Sequence, residues 1–193
     1  SIRVIVGNDV AVNAARVGRT NPWPEGTMLG HMVWQQGENE DAANTVVPGN
    51  FGAITLMKKD SDEYAADGGW AYGRWAGDDL TPLGPGADRA CVNCHTDLVR
   101  QFDYVFTQPG ALPSLNAINS AAPAPNGLKL PPDILDWRVI GAAQPGGANP
   151  SIRVIVGNET AVRAAREGRT DPWPENSAIS HFVWAPGENV NSA

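Results

Sequence analysis

The residues SIRVIVGN occur twice in this chain, at 1–8 and again at 151–158, and this repeat constrains the possible folds more than any other feature. Aligned without gaps, residues 1–39 and 151–189 are identical at 26 of 39 positions. A match of this quality indicates an internal repeat, so both segments should share one fold. The offset is 150 residues, so the 193-residue chain spans one period and part of the next.

The repeated unit predicts a strand followed by a short helix. SIRVIV is apolar and β-branched, as expected of a buried strand, and Asn8 or Asp9 can cap a helix that ends near Gly18. Three further segments have strand character: TMLGHMVWQQ, GAITLMKKD and GGWAYGRWAG.

Composition limits the possible partners. Hydrophobic residues make up 42% and charged residues 18%, which is typical of a globular protein. The formal net charge is −7 and there is no basic run, so nucleic acid and anionic membrane surfaces are poor partners. No apolar run approaches the roughly 20 residues that span a bilayer, and no signal peptide is visible before the first strand.

The segment CVNCH, residues 91–95, has the spacing of a c-type haem attachment site. In that chemistry the two thiols add to the two vinyl groups of a haem, and the adjacent imidazole binds the iron. The motif therefore predicts one covalent haem c on Cys91 and Cys94, with His95 as an axial ligand. Attachment of this kind takes place outside the cytoplasmic face, so we expect a periplasmic or extracellular protein.

Other interpretations of CVNCH remain open. It can arise by chance, as a redox C-x-x-C pair, or as half of a zinc site. A zinc site would need two further ligands, and the only other histidines are His31 and His181. For a haem, the ligand opposite His95 decides the function: an open position allows binding or catalysis, and a second strong ligand gives an electron carrier.

The order of these segments resembles the cytochrome P-460 family, which includes the cytochromes c′-beta. The glycine-flanked tryptophan strand before CVNCH and the DYVFT sequence after it are more specific than CVNCH itself. The matching segments are LPPDILDWRVIGA (130–142), IRVIVGN through PWPEGT (2–27), LMKKDSDEYAADGGWAYGRW (56–75), CVNCH (91–95) and FDYVFTQ (102–108).

The resemblance implies a mainly β (α+β) fold: an antiparallel sheet with a few short helices, one of which carries the haem motif. It also implies a protein that is commonly dimeric. Enzymes of the family oxidise hydroxylamine, handle nitric oxide and cross-link their haem to a lysine. The c′-beta relatives bind nitric oxide or carbon monoxide at a five-coordinate iron in an apolar pocket.

In this chain the position matched to the cross-linking lysine is His31, on the strand after the EGT turn at Glu25–Thr27. This departure argues against hydroxylamine oxidation. His31 is a candidate second iron ligand, or a hydrogen-bond or proton partner for a bound ligand. His181 holds the same place in the second copy. The lysines of the LMKKD strand, Lys58 and Lys59, are expected to face solvent.

Several other residues are candidates for the haem environment. Trp70 and Phe106 are predicted to contact the haem or to lie in the core, and the same alternatives apply to Trp34 and Trp75. Asp103 either orients His95 or caps a turn.

We divide the chain into a haem domain (1–107), a linker rich in proline and alanine (108–127) and a partial repeat without a haem motif (128–193). The sequence LPPDILDWRVIGA occurs only in the third part. Either the chain is cut from a longer tandem array, or its half-module completes a module in this or a neighbouring chain by adding an edge strand. Both explanations predict a homo-oligomer or head-to-tail contact between haem modules.

Three functions follow from these observations. The first is electron transfer to a redox partner protein or a neighbouring haem module. The second is a haem enzyme or gas-binding protein acting on nitric oxide or hydroxylamine at an open distal site. The third is a mainly structural subunit whose repeat serves assembly.

Overall fold

A computed structural model describes residues 1–40 and 42–185 of the chain. These residues form two compact units. Unit 1 comprises Ser1–Glu38 and Pro48–Pro109, and unit 2 comprises Asn39–Val47 and the described residues from Gly110 onward. Unit 2 therefore includes most of the predicted linker 108–127, in which a short helix forms.

Unit 1 is built on an antiparallel sheet. Strand β1 (Ile2–Gly7) pairs with β2 (Met28–Glu38), and β2 lies beside β3 (Thr45–Lys59), whose first residues belong to unit 2. β3 then pairs with β4 (Trp70–Ala76), which pairs with the two-residue strand β5 (Thr81–Pro82). The mainly β, antiparallel prediction is confirmed.

Two helices pack on this sheet. Helix α1 (Asp9–Arg16) approaches β1 so closely that a Cβ on Gly7 would lie 2.7 Å from the Cβ of Ala11. Helix α2 (Asp88–Val99) contacts β4 and carries the CVNCH motif. The core of unit 1 is formed by residues of α1, β4 and the connecting segments: Ala11, Ala14, Trp23, Trp70 and Val105.

Asn8 fixes the start of α1. Its Oδ1 accepts hydrogen bonds from the backbone N–H of Ala11 and of Met28, and its Nδ2 donates to the carbonyl of Gly26. One side chain thus caps the helix and ties it to the beginning of β2. The sequence left Asn8 and Asp9 as alternative caps, and the structure selects Asn8.

We expect Asn8→Ala to lower the free energy of unfolding by about 1–2 kcal/mol, because the helix cap and its links to the β2 segment are lost together. Denaturant unfolding monitored by far-UV circular dichroism measures this change. Asn13→Ala is the matched control, because Asn13 lies exposed on the same helix. Equal stability losses in the two variants would contradict this role for Asn8.

Unit 2 contains the second copy of the repeat. Strand β6 (Arg138–Pro145) pairs with β7 (Ile152–Gly157), which pairs with β8 (Ile179–Trp184). Helix α4 (Glu159–Arg166) follows β7 and is capped by Asn158, as α1 is capped by Asn8. A short helix, α3 (Leu115–Asn119), precedes these elements and buries Ile118.

The two copies adopt the same strand register. Ile2 is opposite Trp34 and Gly7 opposite Leu29 in unit 1, and the residues 150 positions later pair in the same way in unit 2. No helix among the described residues has the length and apolarity needed to cross a membrane.

Candidate haem site

Helix α2 brings the two cysteines of CVNCH and their neighbouring histidine together. A spacing of three residues places Cys91 and Cys94 on one side of the helix, about one turn apart. Both thiols are free; Cys91 is half-buried and Cys94 is exposed. Buried Val92 and Val99 anchor the same helix in unit 1, so the thiols are held on a fixed element.

An open cleft of about 270 Å³ lies between β4 and the start of α2. Cys91 lines it from the helix, and Tyr72, Arg74 and Trp75 line it from the strand. The remaining lining comes from Gly73 of the strand, from residues 82–87 before the helix and from Asp88, the first residue of the helix. Cys91 therefore adjoins a space lined by aromatic and aliphatic residues and by the charged residues Arg74 and Asp88.

The imidazole of His95 is oriented by a backbone carbonyl. Its Nδ1 lies 2.6 Å from the carbonyl oxygen of Tyr104. Because a carbonyl can only accept, Nδ1 must carry the hydrogen and donate it, which leaves the lone pair on Nε2 for a metal. Burial lowers the pKa of His95, although the bond to Tyr104 acts in the opposite direction. The lowered pKa favours the neutral imidazole, which is the form that binds metals.

Two aromatic rings pack against the ring of His95. The centroid of Tyr72 lies 4.8 Å away, and that of Phe106 lies 4.9 Å away in an edge-to-face arrangement. The structure thus places Phe106, a predicted haem contact, directly against the candidate iron ligand. Tyr72 was not singled out in the sequence, although strand alternation puts it on the same face of β4 as Trp70. Burial raises the pKa of Tyr72.

His31 lies on β2, opposite Ile5 of β1. Alternation places it on the same face as Leu29, two residues earlier. Leu29 and Tyr72 pack against the same core cluster, so His31 lies on the sheet face that carries the aromatic neighbour of His95.

The His31 side chain contains an unsatisfied polar atom. Its Nε2 is buried and has no hydrogen-bond partner among residues 1–40 and 42–185. Burial, and secondarily the charge of Arg3, lower the pKa of His31, which favours the neutral imidazole. A buried nitrogen of this kind needs a partner such as a metal, a ligand or water.

His181 has a different environment. It occupies the equivalent register position on β8, opposite Ile155, but it is exposed. Sequence equivalence therefore does not give the two histidines equivalent surroundings.

Trp70 is fully buried in the core of unit 1, which is one of the two alternatives predicted for it. Of the other two tryptophans considered, Trp34 packs edge-to-face against Phe51, and Trp75 lines the cleft beside Cys91.

The expectation that both lysines of β3 face solvent is wrong for Lys59. Lys58 is partly exposed and pairs with Asp60 and Glu63. Lys59 is only 5% exposed and forms a buried ion pair with Asp103. Strand alternation is the physical reason, because consecutive residues point to opposite faces and Lys59 shares the inner face with Met57.

These residues fit haem c. Two free thiols lie one turn apart, the adjacent imidazole presents Nε2 because Nδ1 is occupied, and aromatic rings surround it. The buried, unsatisfied Nε2 of His31 belongs to a residue on the same face of the sheet as Tyr72. Cys91 and Cys94 would hold the haem covalently, and His95 would bind its iron.

The family model for cytochrome P460 matches residues 1–107, more than half of the chain and all of the segment that carries the site. Proteins of this family bind haem c and are typically exported. Comparison with curated protein sequences gives no match. The predicted family is thus confirmed, and the chain belongs to the cytochrome P460 family.

Proposed function

We propose that this chain is an exported c-type cytochrome that transfers electrons through one haem, held by thioether bonds to Cys91 and Cys94. In this proposal His95 and His31 would both bind the iron of that haem. The observation that carries it is the buried, unsatisfied Nε2 of His31 on the sheet face that also carries Tyr72. Haem iron supplies a one-electron redox couple when bound.

The protein's own groups support this function by restricting the site. The Tyr104 carbonyl fixes the tautomer of His95, so its Nε2 stays available. Tyr72 and Phe106 pack against the His95 ring and limit its rotation. Burial lowers the pKa of His31, which favours the neutral imidazole that can donate a lone pair to a metal.

Membership of the cytochrome P460 family supports a second candidate function, based on the family's nitrogen-oxide chemistry. In this alternative His95 would be the only side chain that binds the iron, which could then also bind nitric oxide or hydroxylamine. His31 then acts as a hydrogen-bond partner of the bound molecule instead of a ligand. The two candidates differ in coordination number, which spectroscopy measures.

Replacing His31 tests the choice between them. In the electron-transfer proposal, His31→Ala converts a six-coordinate, low-spin ferric haem to a five-coordinate, high-spin haem. His181→Ala is the matched control, because its exposed imidazole lies in the other copy, and it should leave the spectrum unchanged. A wild-type spectrum that is already high-spin and insensitive to His31→Ala would favour the gas-binding alternative.

The proposal also includes partners and location. The electron partner is a redox protein or another haem module in the periplasm or outside the cell. The repeated half-module of residues 128–193 supports head-to-tail assembly, in which a strand edge of one module adds to another. Light scattering over a dilution series measures this assembly, and a constant monomer mass would argue against it.

A further inference from the structure

The segment that follows α2 turns back on the helix. After Val99 the chain forms one short 3-10 turn, and Asp103 and Tyr104 then both adopt left-handed conformations, with φ of 52° and 63°. Two consecutive left-handed residues other than glycine are unfavourable and need support from their surroundings. The turn presents the Tyr104 carbonyl to Nδ1 of His95, so its geometry determines the hydrogen bond to the candidate iron ligand.

The Asp103 carboxylate holds this turn in place. Its Oδ2 accepts a hydrogen bond of 2.7 Å from the backbone N–H of Trp23 and also pairs with the ammonium group of Lys59. The side chain of Asp103 is only 10% exposed. A carboxylate buried with both a cation and a backbone donor is held strongly in one position.

Lys59 is itself fixed by the sheet. Its backbone N–H donates to the carbonyl of Thr27 at 2.8 Å, and it lies opposite Trp70 in the register of β3 and β4. Its Nζ lies 5.2 Å from the centroid of the buried Trp70 ring. Trp70 therefore contributes to the site indirectly, by packing against the cation that holds Asp103.

We propose that the Lys59–Asp103 ion pair is a positioning device for His95 that sets the reduction potential of the haem. The inference rests on the proposed haem attachment. The pair fixes the turn, and the turn holds the Tyr104 carbonyl on Nδ1. Withdrawal of the Nδ1 proton toward that carbonyl makes the imidazole a stronger donor, which favours the ferric state. Asp103 thus orients His95 through Tyr104, and both lysine and aspartate are positioning residues.

The test is a double variant, Lys59→Met with Asp103→Asn, which removes both charges and so leaves the net charge of the site unchanged. We expect it to carry covalent haem and to shift the reduction equilibrium about tenfold toward the ferrous state, or about 59 mV upward in a potentiometric titration. The hyperfine-shifted Nδ1 proton of His95 should also exchange faster with solvent. Lys59→Arg is the control that retains the ion pair, and it should keep the wild-type potential.

A purely structural role would give a different result. In that case the double variant would unfold at a lower temperature but keep the wild-type potential and Nδ1 proton exchange, and this outcome would overturn the inference. Should the double variant fail to fold, Asp103→Glu retains the charge while displacing the carboxylate, and an unchanged potential would overturn the inference equally. Haem content is measured first: wild-type protein without covalent haem would refute the proposed function itself.

Discussion

Replacing Cys91 and Cys94 together with serine will abolish covalent retention of haem. A hydroxyl group does not form the thioether bonds that the two thiols would form with the vinyl groups in the proposed attachment, so any haem bound in the folded state will separate in denaturant. Haem staining of the protein on a denaturing gel should fall to background. The intact mass should also fall by that of one haem, apart from the small change due to the substitutions.

Single variants make this prediction sharper. Cys91→Ser or Cys94→Ser leaves one vinyl group conjugated with the ring, so the reduced pyridine haemochrome band should move to longer wavelength. Asn93→Ala is the matched control, because Asn93 is exposed between the two cysteines and should leave attachment complete. Haem that survives denaturation in the double serine variant would contradict the proposed attachment.

The second large effect is expected for His95→Gly, which removes the candidate axial ligand but keeps both thiols. The spectrum of the bound haem should change completely, because the oriented nitrogen is lost. Free imidazole should restore the original spectrum, since it can enter the space between Tyr72 and Phe106. An absorption titration with imidazole measures this rescue.

His181→Gly is the matched control for this variant, because it removes an exposed imidazole and should change neither the spectrum nor its response to imidazole. A His95→Gly protein with an unaltered spectrum would show that another group binds the iron.

Local sequence patterns predicted the elements that carry the site. The SIRVIV strand, a helix cap at Asn8 or Asp9 and the helix with CVNCH each depend on residues close together in the chain, so propensity and spacing were sufficient to predict them. Phe106 was found because its segment, DYVFT, resembles the family. In the structure the centroid of the Phe106 ring lies 4.9 Å from that of the His95 ring.

The positioning of His95 could not be predicted in the same way. The group that bonds to Nδ1 is a backbone carbonyl, and residue type says nothing about it. Lys59 and Asp103 are 44 residues apart, so their pairing depends on the fold. One signal was available: of two consecutive lysines in a strand, one must lie on the inner face.

The repeat also shows that identical residues need not have identical surroundings. Trp23 is 5% exposed and donates its backbone N–H to Asp103, whereas Trp173, its counterpart in the second copy, is 38% exposed. The segment that covers Trp23 follows α2, and the second copy has no counterpart of α2 among its described residues. The burial of this tryptophan therefore depends on the segment that packs against it, and the repeated sequence alone does not determine it.

Electron paramagnetic resonance of the purified ferric protein, followed by addition of nitric oxide to the reduced form, tests the central claim most directly. The account predicts a low-spin signal from a haem with two histidine ligands, and slow binding of nitric oxide because His31 must first leave the iron. A high-spin, five-coordinate signal with rapid binding of nitric oxide would contradict it.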